Sequence, residues 1–214
     1  MKAIHYLNQF FGQIGGEERA DYPLEVRSGV IGPGQALQTA IQPQIEITAT
    51  ILCGDNYFNE HAEVTEEIKK ILQKEQPDIL IAGPAFNAGR YGMACGQVCQ
   101  LAAELGIPAV SGMFEENPGL DLYREYAYIV PTRNSAIGMR DAIAKMSKLL
   151  LRLADGAKQL DPATDGYFKR GIRYQYDAGV PGAKRAVDML LAKLNGQPFQ
   201  TELPMPVYDH VPPS

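Results

Sequence analysis

The chain of 214 residues has no tryptophan, three cysteines and three histidines. An odd number of cysteines argues against the paired disulfides of small secreted proteins and favours a reducing, cytoplasmic environment. The histidines, His5, His61 and His210, lie far apart and show no spacing typical of a metal site. We therefore expect neither a disulfide framework nor a bound metal.

Long apolar runs and clusters of basic residues are also missing. No hydrophobic segment approaches the length needed to span a membrane, and the N-terminus lacks the apolar core of a signal peptide. The net charge is −5 with both signs interspersed, so the charge pattern gives no support for nucleic-acid binding. A Walker loop, a GxGxxG fingerprint and a Ser-His-Asp order are absent too, which leaves NAD and ATP unsupported.

Apolar β-branched segments alternate with amphipathic segments along the chain. This order predicts a doubly wound α/β fold, with a mostly parallel sheet and helices on both faces. We predict a Rossmann-like or flavodoxin-like domain over residues 1–160. Over 161–214 we predict a loop, one helix and an extended proline-rich arm, packed on that domain or on a partner. The predicted strands are Ala3–Leu7, Ile45–Leu52, Asp78–Ala82, Pro108–Ser111 and Ala127–Val130, and the predicted helices are Glu60–Lys74, Tyr91–Leu105, Asn134–Ala154 and 183–195.

Ligands of open parallel sheets bind outside the carboxyl ends of the strands. The most informative segment of this kind is 82–96, AGPAFNAGRYGMACG, which follows a predicted strand and leads into a predicted helix. Backbone N–H groups at such a turn can hold a small anion or the carboxylate of a zwitterion. Together with polar residues after the other strands, this segment predicts a substrate site made of Asn8, Asp55, Tyr57, Gly83, Phe86, Asn87, Arg90, Tyr91, Glu116 and Asn117.

The side chains of this predicted site each allow two interpretations. The planar guanidinium of Arg90 can clamp a substrate carboxylate, or it can pair with a surface glutamate. Gly83, Gly89 and Gly92 can serve tight turns and can also let the backbone approach a ligand. Four aromatic side chains can surround an ammonium group with their ring faces, or they can pack ordinarily against the sheet: Tyr57, Phe58, Phe86 and Tyr91.

The cysteines allow a similar choice. Cys95 and Cys99 are four residues apart and share one helix face, a pattern that favours two buried core residues over metal or redox chemistry. Cys53 follows a predicted strand and is better placed for chemistry, although no histidine adjoins it. It is a weak catalytic candidate, and the catalytic residue is otherwise unknown at this point.

Motifs along the whole chain resemble a known family. They are HYLNQFFGQIGGEERAD, CGDNYFNE, AGPAFNAGRYGMACG, ENPG, NSAIGMR, RGIR, GAKRAVDMLL and PMPVYD, in this order. On these motifs the chain is similar to the selenoprotein subunit of component B of the glycine, sarcosine and betaine reductases of amino-acid-fermenting anaerobes. Several motifs in a fixed order are far more specific than any single glycine-rich loop.

The resemblance implies a function. It implies a cytoplasmic, oligomeric complex that binds a small amino acid or N-methylated amine and cleaves its C–N bond reductively. A carboxymethyl group then passes from selenium in component B to selenoprotein A, and component C releases it as acetyl phosphate. The expected partners are therefore another component B subunit, selenoprotein A and component C.

The chain departs from the family in its length. The family protein is about twice as long, and its redox-active selenocysteine or cysteine lies in the C-terminal half. We therefore expect no cofactor within these residues, selenocysteine in a missing C-terminal half or on a partner, and a role in substrate binding. The chain is expected to be an N-terminal half, a truncated form or a naturally short subunit.

Two other functions stay compatible with the residues. One is a non-catalytic module that binds a small ligand or a partner. The other is a hydrolase or lyase of small amides that uses Cys53 or Asp55. The proline-rich segment 197–214 contains apolar side chains between its prolines, and we expect it to pack on its own domain or on another chain.

Overall fold

The structure is a computed structural model that describes residues 1–157, 160–171 and 179–199. The chain divides into a first unit, residues 1–172, and a second unit, residues 173–214. The strands of the first unit are β1 (Lys2–Asn8), β2 (Glu25–Ser28), β3 (Glu46–Cys53), β4 (Ile79–Phe86), β5 (Ala109–Met113) and β6 (Tyr128–Pro131). Its helices are α1 (Pro33–Ile41), α2 (Asp55–Glu60), α3 (Glu63–Glu75), α4 (Gly89–Glu104), α5 (Pro118–Tyr123), α6 (Met139–Ala154) and α7 (Pro162–Asp165).

The six strands form one sheet in the order β2-β3-β1-β4-β5-β6. Strand β2 pairs antiparallel with β3, and the other neighbours are parallel. Successive side chains of a strand point to opposite faces, so both faces of a buried strand need cover. Strand β4, buried along its whole length, shows this most clearly.

Helices cover both faces of the sheet. One face packs against α3 and α4, which contribute Val64, Ile68, Leu72, Cys95, Val98 and Cys99. The other face packs against α1 and α6, which contribute Leu37, Ile41, Ile143, Met146, Leu149 and Leu150. The apolar residues of these helices recur every three or four positions, which places them on one side of each helix. The predicted doubly wound α/β fold is therefore confirmed.

The structure corrects the boundaries around the glycine-rich segment. Strand β4 does not end at Ala82 but continues to Phe86, with an irregular register opposite β5 between those two residues. Helix α4 starts at Gly89 instead of Tyr91. The connection between strand and helix is therefore only two residues, Asn87 and Ala88, instead of an extended loop.

Other elements also differ from the sequence prediction. β2 and α1 lie in a region where no element was predicted. The predicted helix Glu60–Lys74 corresponds to α3, which begins three residues later at Glu63, and a short helix that was not predicted, α2, precedes it. The predicted helix Asn134–Ala154 begins with a 3₁₀ turn at Ala136–Gly138 and becomes α-helical at Met139.

In the second unit, one helix, α8 (Gly182–Leu194), matches the amphipathic segment predicted over 183–195. Most of the proline-rich arm, residues 200–214, lies outside the described residues, so the packing expected for it stays a prediction.

No helix in the described part of the chain combines the length and the apolar character that crossing a membrane requires.

Candidate functional site

β1 and β4 lie side by side in the middle of the sheet. The strands that follow β1 in the chain, β2 and β3, lie on the β1 side of this pair. The strands that follow β4, namely β5 and β6, lie on the β4 side. At such a reversal of strand order the loops diverge and leave a crevice at the carboxyl ends of the strands. A cavity of about 360 Å³ lies at this position, lined by Asn8, Gln9, Phe10, Phe11, Gly16, Glu17, Asp55, Ala85, Phe86, Asn87, Ala88, Asn134, Ser135 and Ala136.

Asn8, the last residue of β1, organises one side of the cavity. Its side-chain oxygen accepts a hydrogen bond from the backbone N–H of Phe11 at 3.0 Å. Its amide nitrogen donates to Oδ2 of Asp55 at 2.9 Å. The adjacent Gln9 accepts from the backbone N–H of Asp55 at 3.0 Å. The end of β1 therefore fixes both the loop that follows it and the first residue of α2.

Asp55 is the buried acid of the site, with only 7% of its surface exposed. Its Oδ1 has no hydrogen-bond partner in the part of the chain that the structure describes. Burial raises the pKa of the Asp55 carboxyl, and the hydrogen bond from Asn8, the neighbouring Gln9 side chain and the charge of Arg90 act in the opposite direction. The carboxylate thus retains acceptor capacity in a place that water reaches poorly.

The short connection between β4 and α4 forms the opposite wall. Phe86 is buried and has a positive φ of 51°, a conformation that is uncommon and strained for a bulky residue. Its carbonyl oxygen accepts from the side chain of Asn117 at 2.8 Å and from the backbone N–H of Phe114 at 3.0 Å. These bonds hold the strained residue, and with it Asn87 and Ala88, against the cavity.

Helix α4 begins at this wall. Ala88, its N-cap residue, lines the cavity, and no side chain makes a capping hydrogen bond there. The first N–H groups of a helix lack partners within the helix and carry partial positive charge. This wall can therefore receive an anionic group.

Arg90 extends from the first turn of α4. It forms an ion pair with Glu17, and it also donates to the side-chain oxygen of Asn56. About half of its side chain is exposed. The ion pair with a glutamate, one of the two interpretations of the sequence, is the one that the structure shows, and Arg90 itself is not part of the cavity wall.

Of the two interpretations of the four aromatic side chains, ordinary packing describes three of them. Phe58 and Tyr91 are buried in the core, where both rings pack against Tyr6. Tyr57 stacks on His61 with the ring centroids 4.1 Å apart. Of the four predicted rings, only Phe86 lines the cavity, together with Phe10 and Phe11 from the loop after β1, which were not predicted.

Three more predicted residues lie outside the cavity wall. Gly83 is buried within β4, and its carbonyl oxygen accepts from Nε2 of His5 at 2.7 Å. Asn117 is fully buried and caps α5, with its side-chain oxygen 2.9 Å from the backbone nitrogen of Gly119. Glu116 is exposed beside it. Asn8, Asp55, Phe86 and Asn87 are the predicted site residues that the structure brings together.

The cysteines are poorly placed for nucleophilic chemistry. Burial, together with the negative charges of Asp55 and Glu67, raises the pKa of Cys53 to about 12. Burial also raises the pKa of Cys99 to about 12 and that of Cys95 well above its usual value. Because the thiolate is the nucleophile, burial and a raised pKa argue against Cys53 as a nucleophile.

The described residues contain no group of three or more metal-ligating side chains. A larger concavity of about 810 Å³ lies at the opposite edge of the sheet. It is lined by Gly29, Val30, Gln38, Gln42, Pro43, Ile45, Glu46 and Ile47. Ligands of open α/β sheets favour the carboxyl edge, and only the smaller cavity has a buried acid with a free acceptor. The smaller cavity is therefore the candidate site.

Sequence reasoning missed Gln9, Phe10, Phe11, Glu17, Asn134 and Ser135 as wall residues. All six follow β1 or β6 directly or within a short loop, so their position after a strand was an available signal. The pairing of distant loops, such as the hydrogen bond from the Asn87 backbone N–H to the Asn134 carbonyl, depends on the sheet order and could not be read from spacing.

The chain is similar to curated proteins over its whole length. Residues 1–214 match the sequence family described as glycine/sarcosine/betaine reductase selenoprotein B. The chain is 52% identical to the glycine reductase complex component B subunit gamma of Carboxydothermus hydrogenoformans, covering 100% of this chain and 49% of the relative.

Two relatives from Peptoclostridium acidaminophilum carry other substrate names. The sarcosine reductase complex component B subunit beta is 47% identical over 100% of this chain and 50% of its own length. The betaine reductase complex component B subunit beta is 42% identical over 98% of this chain and 49% of its own length. The chain thus spans about half the length of the curated relatives it matches. It belongs to the glycine/sarcosine/betaine reductase selenoprotein B family.

Proposed function

We propose that this chain is the substrate-binding part of a component B subunit of a glycine, sarcosine or betaine reductase. The observation that carries the proposal is the cavity at the switch point, which combines a buried acid, aromatic rings and the uncapped start of a helix. An amino acid is a zwitterion, and its two charged ends need two different environments within a few ångströms of each other.

The cavity offers such a pair of environments. Asp55 and the rings of Phe10, Phe11 and Phe86 suit an ammonium group, since carboxylates and ring faces both attract cations. The N-terminus of α4 at Ala88 suits a carboxylate, because its N–H groups are uncapped. A volume of about 360 Å³ lies at the small end of the range for ligand pockets and suits a compact metabolite.

The reductive step is proposed to take place outside the described residues. Reductive cleavage of a C–N bond requires a nucleophile that becomes alkylated and a source of electrons. The buried, protonated thiols of Cys53, Cys95 and Cys99 fit neither requirement. We accordingly assign selenium chemistry to a C-terminal half or a partner, and we place another component B subunit, selenoprotein A and component C among the partners.

The amide hydrolase or lyase alternative finds less support. Cys53 is fully buried and its thiol has a raised pKa. In the described residues, no histidine adjoins Asp55 to form an acid–base pair with it. The non-catalytic binding module differs from the main proposal only in what happens after the ligand binds.

Isothermal titration calorimetry tests the binding proposal. The purified chain is titrated with glycine, sarcosine and betaine, and saturable binding of at least one of them is expected. An Ala88→Trp variant should lose this binding, because the indole ring would fill the cavity that Ala88 lines.

A matched control is Ala62→Trp. Ala62 is likewise an exposed N-cap alanine, that of α3, but it lies outside the cavity. Binding should persist in this variant. Absence of binding of all three amines to the wild-type chain, or equal binding to both tryptophan variants, would overturn the proposal.

A further inference from the structure

Among the described residues, Asp55 is a buried carboxylate without an ion-pair partner of its own. The positive charge of Arg90 lowers the pKa of Asp55, but the guanidinium of Arg90 is bound to Glu17 and Asn56. From the described residues, Oδ2 of Asp55 accepts one hydrogen bond, from Asn8, and Oδ1 accepts none. An ionised carboxylate has about four lone-pair sites, so most of the acceptor capacity of Asp55 is unused.

An unpaired buried carboxylate is unfavourable, because burial removes water without providing a counter-charge. A ligand that carries a positive charge and an N–H donor supplies both the missing counter-charge and the missing hydrogen bond. A ligand whose nitrogen carries only methyl and methylene groups supplies the counter-charge alone, since it cannot donate a hydrogen bond to the carboxylate.

The aromatic residues of the cavity do not compensate a fully methylated ligand for the hydrogen bond that it cannot make to Asp55. Sites for quaternary ammonium groups surround the cation with ring faces. Here the three rings form one contiguous cluster, with centroids 5.2 Å apart for Phe10 and Phe11 and 6.0 Å apart for Phe11 and Phe86. Phe11 packs against both other rings, and the other rings considered for a box, Tyr57, Phe58 and Tyr91, lie outside the cavity wall.

We propose that Asp55 accepts a hydrogen bond from the ammonium group of the substrate, so that this cavity selects amino acids whose nitrogen keeps at least one N–H. Glycine, sarcosine and dimethylglycine meet this condition, and betaine does not. This inference rests on the proposed function and narrows it to a class of substrate.

The experiment is a calorimetric series with glycine, sarcosine, dimethylglycine and betaine on the wild-type chain. The affinity should fall most sharply between dimethylglycine and betaine, by about tenfold or more, as expected when a charge-assisted hydrogen bond is lost. The number of methyl groups rises by one at every step, whereas only the last step removes the last N–H. Size and N–H donation therefore predict different profiles.

The variant Asp55→Asn provides a second test. The amide has nearly the shape of the carboxylate but no charge, and it should weaken binding of glycine and sarcosine by about tenfold or more while betaine, already weak, changes less. Asp121→Asn, the same substitution at an exposed position on α5, is the matched control and should leave all affinities unchanged. The melting temperature of each variant reports on folding.

The outcomes separate the two proposals. No binding of any amine overturns the proposed function. Binding of betaine as tight as that of dimethylglycine, or unchanged glycine affinity in a folded Asp55→Asn variant, overturns the role of Asp55 and leaves the binding function standing. If Asp55→Asn does not fold, the wild-type series still decides the N–H requirement.

Discussion

Individual buried polar residues connect the sheet to the site. His5 is fully buried in β1, and its Nε2 donates to the Gly83 carbonyl at 2.7 Å, whereas Nδ1 has no hydrogen-bond partner among the described residues. This bond fixes the irregular part of β4 just before Phe86 enters the cavity. The imidazole is thus a structural donor whose protonation state matters for stability.

Burial lowers the pKa of His5 from 6.5 to about 4, and the hydrogen bond to Gly83 offsets part of that effect. Because the pKa is lower in the folded state, the unfolded chain binds the proton first as the pH falls. The free energy of unfolding should therefore decrease as the pH falls from about 6.5 towards about 4, by about 3 kcal/mol in total from this residue.

Urea denaturation at several pH values measures this effect. The control is His5→Gln, whose amide can donate to Gly83 but does not titrate. The wild-type chain should lose more stability than this variant between pH 6.5 and pH 4. Equal losses in the two proteins would contradict the prediction.

At the scale of elements, the approach of α5 to α4 supports the cavity wall. Asn117 caps α5 and donates from its amide to the carbonyls of Phe86 at 2.8 Å and Ala88 at 3.2 Å. Its side chain is a bridge between one helix end and the connection that lines the site. The sequence predicted a substrate contact for Asn117, whereas the structure gives it this supporting position.

Asn117→Ala should lower the free energy of unfolding by about 2–3 kcal/mol, because it removes the cap and leaves buried carbonyls unpaired. Asn117→Ser, which can keep the capping oxygen but not the two amide bonds, should fall between the wild type and alanine. Chemical denaturation measures both. A loss of less than about 0.5 kcal/mol for alanine would show that Asn117 does not hold this wall.

Gly96 permits the close contact of the same two helices. A Cβ atom at this position would lie 2.6 Å from Cγ of Tyr123, whereas a Cβ at Gly89 would meet only Pro118, at 3.8 Å. Gly96→Ala should therefore destabilise the protein by about 1–3 kcal/mol through overpacking. Gly89→Ala, in the same helix, should be neutral or slightly stabilising. Similar melting temperatures for the two variants would contradict this explanation.

The elements that sequence predicted are those with a strong apolar pattern. β3, β4 and α6 carry runs or stripes of apolar residues that few other structures would bury. β2 was missed because it is a short edge strand with polar positions, defined by its pairing with β3. α1 was missed because its core contact rests on two large residues, Leu37 and Ile41, after a start at Pro33.

The same limits apply to the site. Asn8 and Asn87 could be predicted because each stands where a strand ends. Tyr91 was assigned to the site because it adjoins the glycine-rich turn. Helix α4 begins two residues earlier than predicted, and Tyr91 lies within its first turn with its side chain buried in the core. The order of the strands in the sheet decides which loops meet at the switch point. That order cannot be read from any short segment of the sequence.

For the whole molecule, the proposed division of labour predicts that this chain alone lacks reductase activity. With glycine and a dithiol as electron donor, ammonia release should not exceed the rate without protein. The physical reason is that Cys53, Cys95 and Cys99 are buried thiols with raised pKa values. Ammonia release proportional to the protein concentration would contradict it.

The central claim is that a small amino acid binds in the cavity between β1 and β4. Backbone amide NMR, with glycine and sarcosine added stepwise to the isotope-labelled chain, tests it most directly. The account predicts shifts concentrated on the four wall segments, residues 8–17, 55, 85–88 and 134–136. Shifts concentrated on residues 29–47 at the opposite edge of the sheet, or no shifts at all, would contradict it.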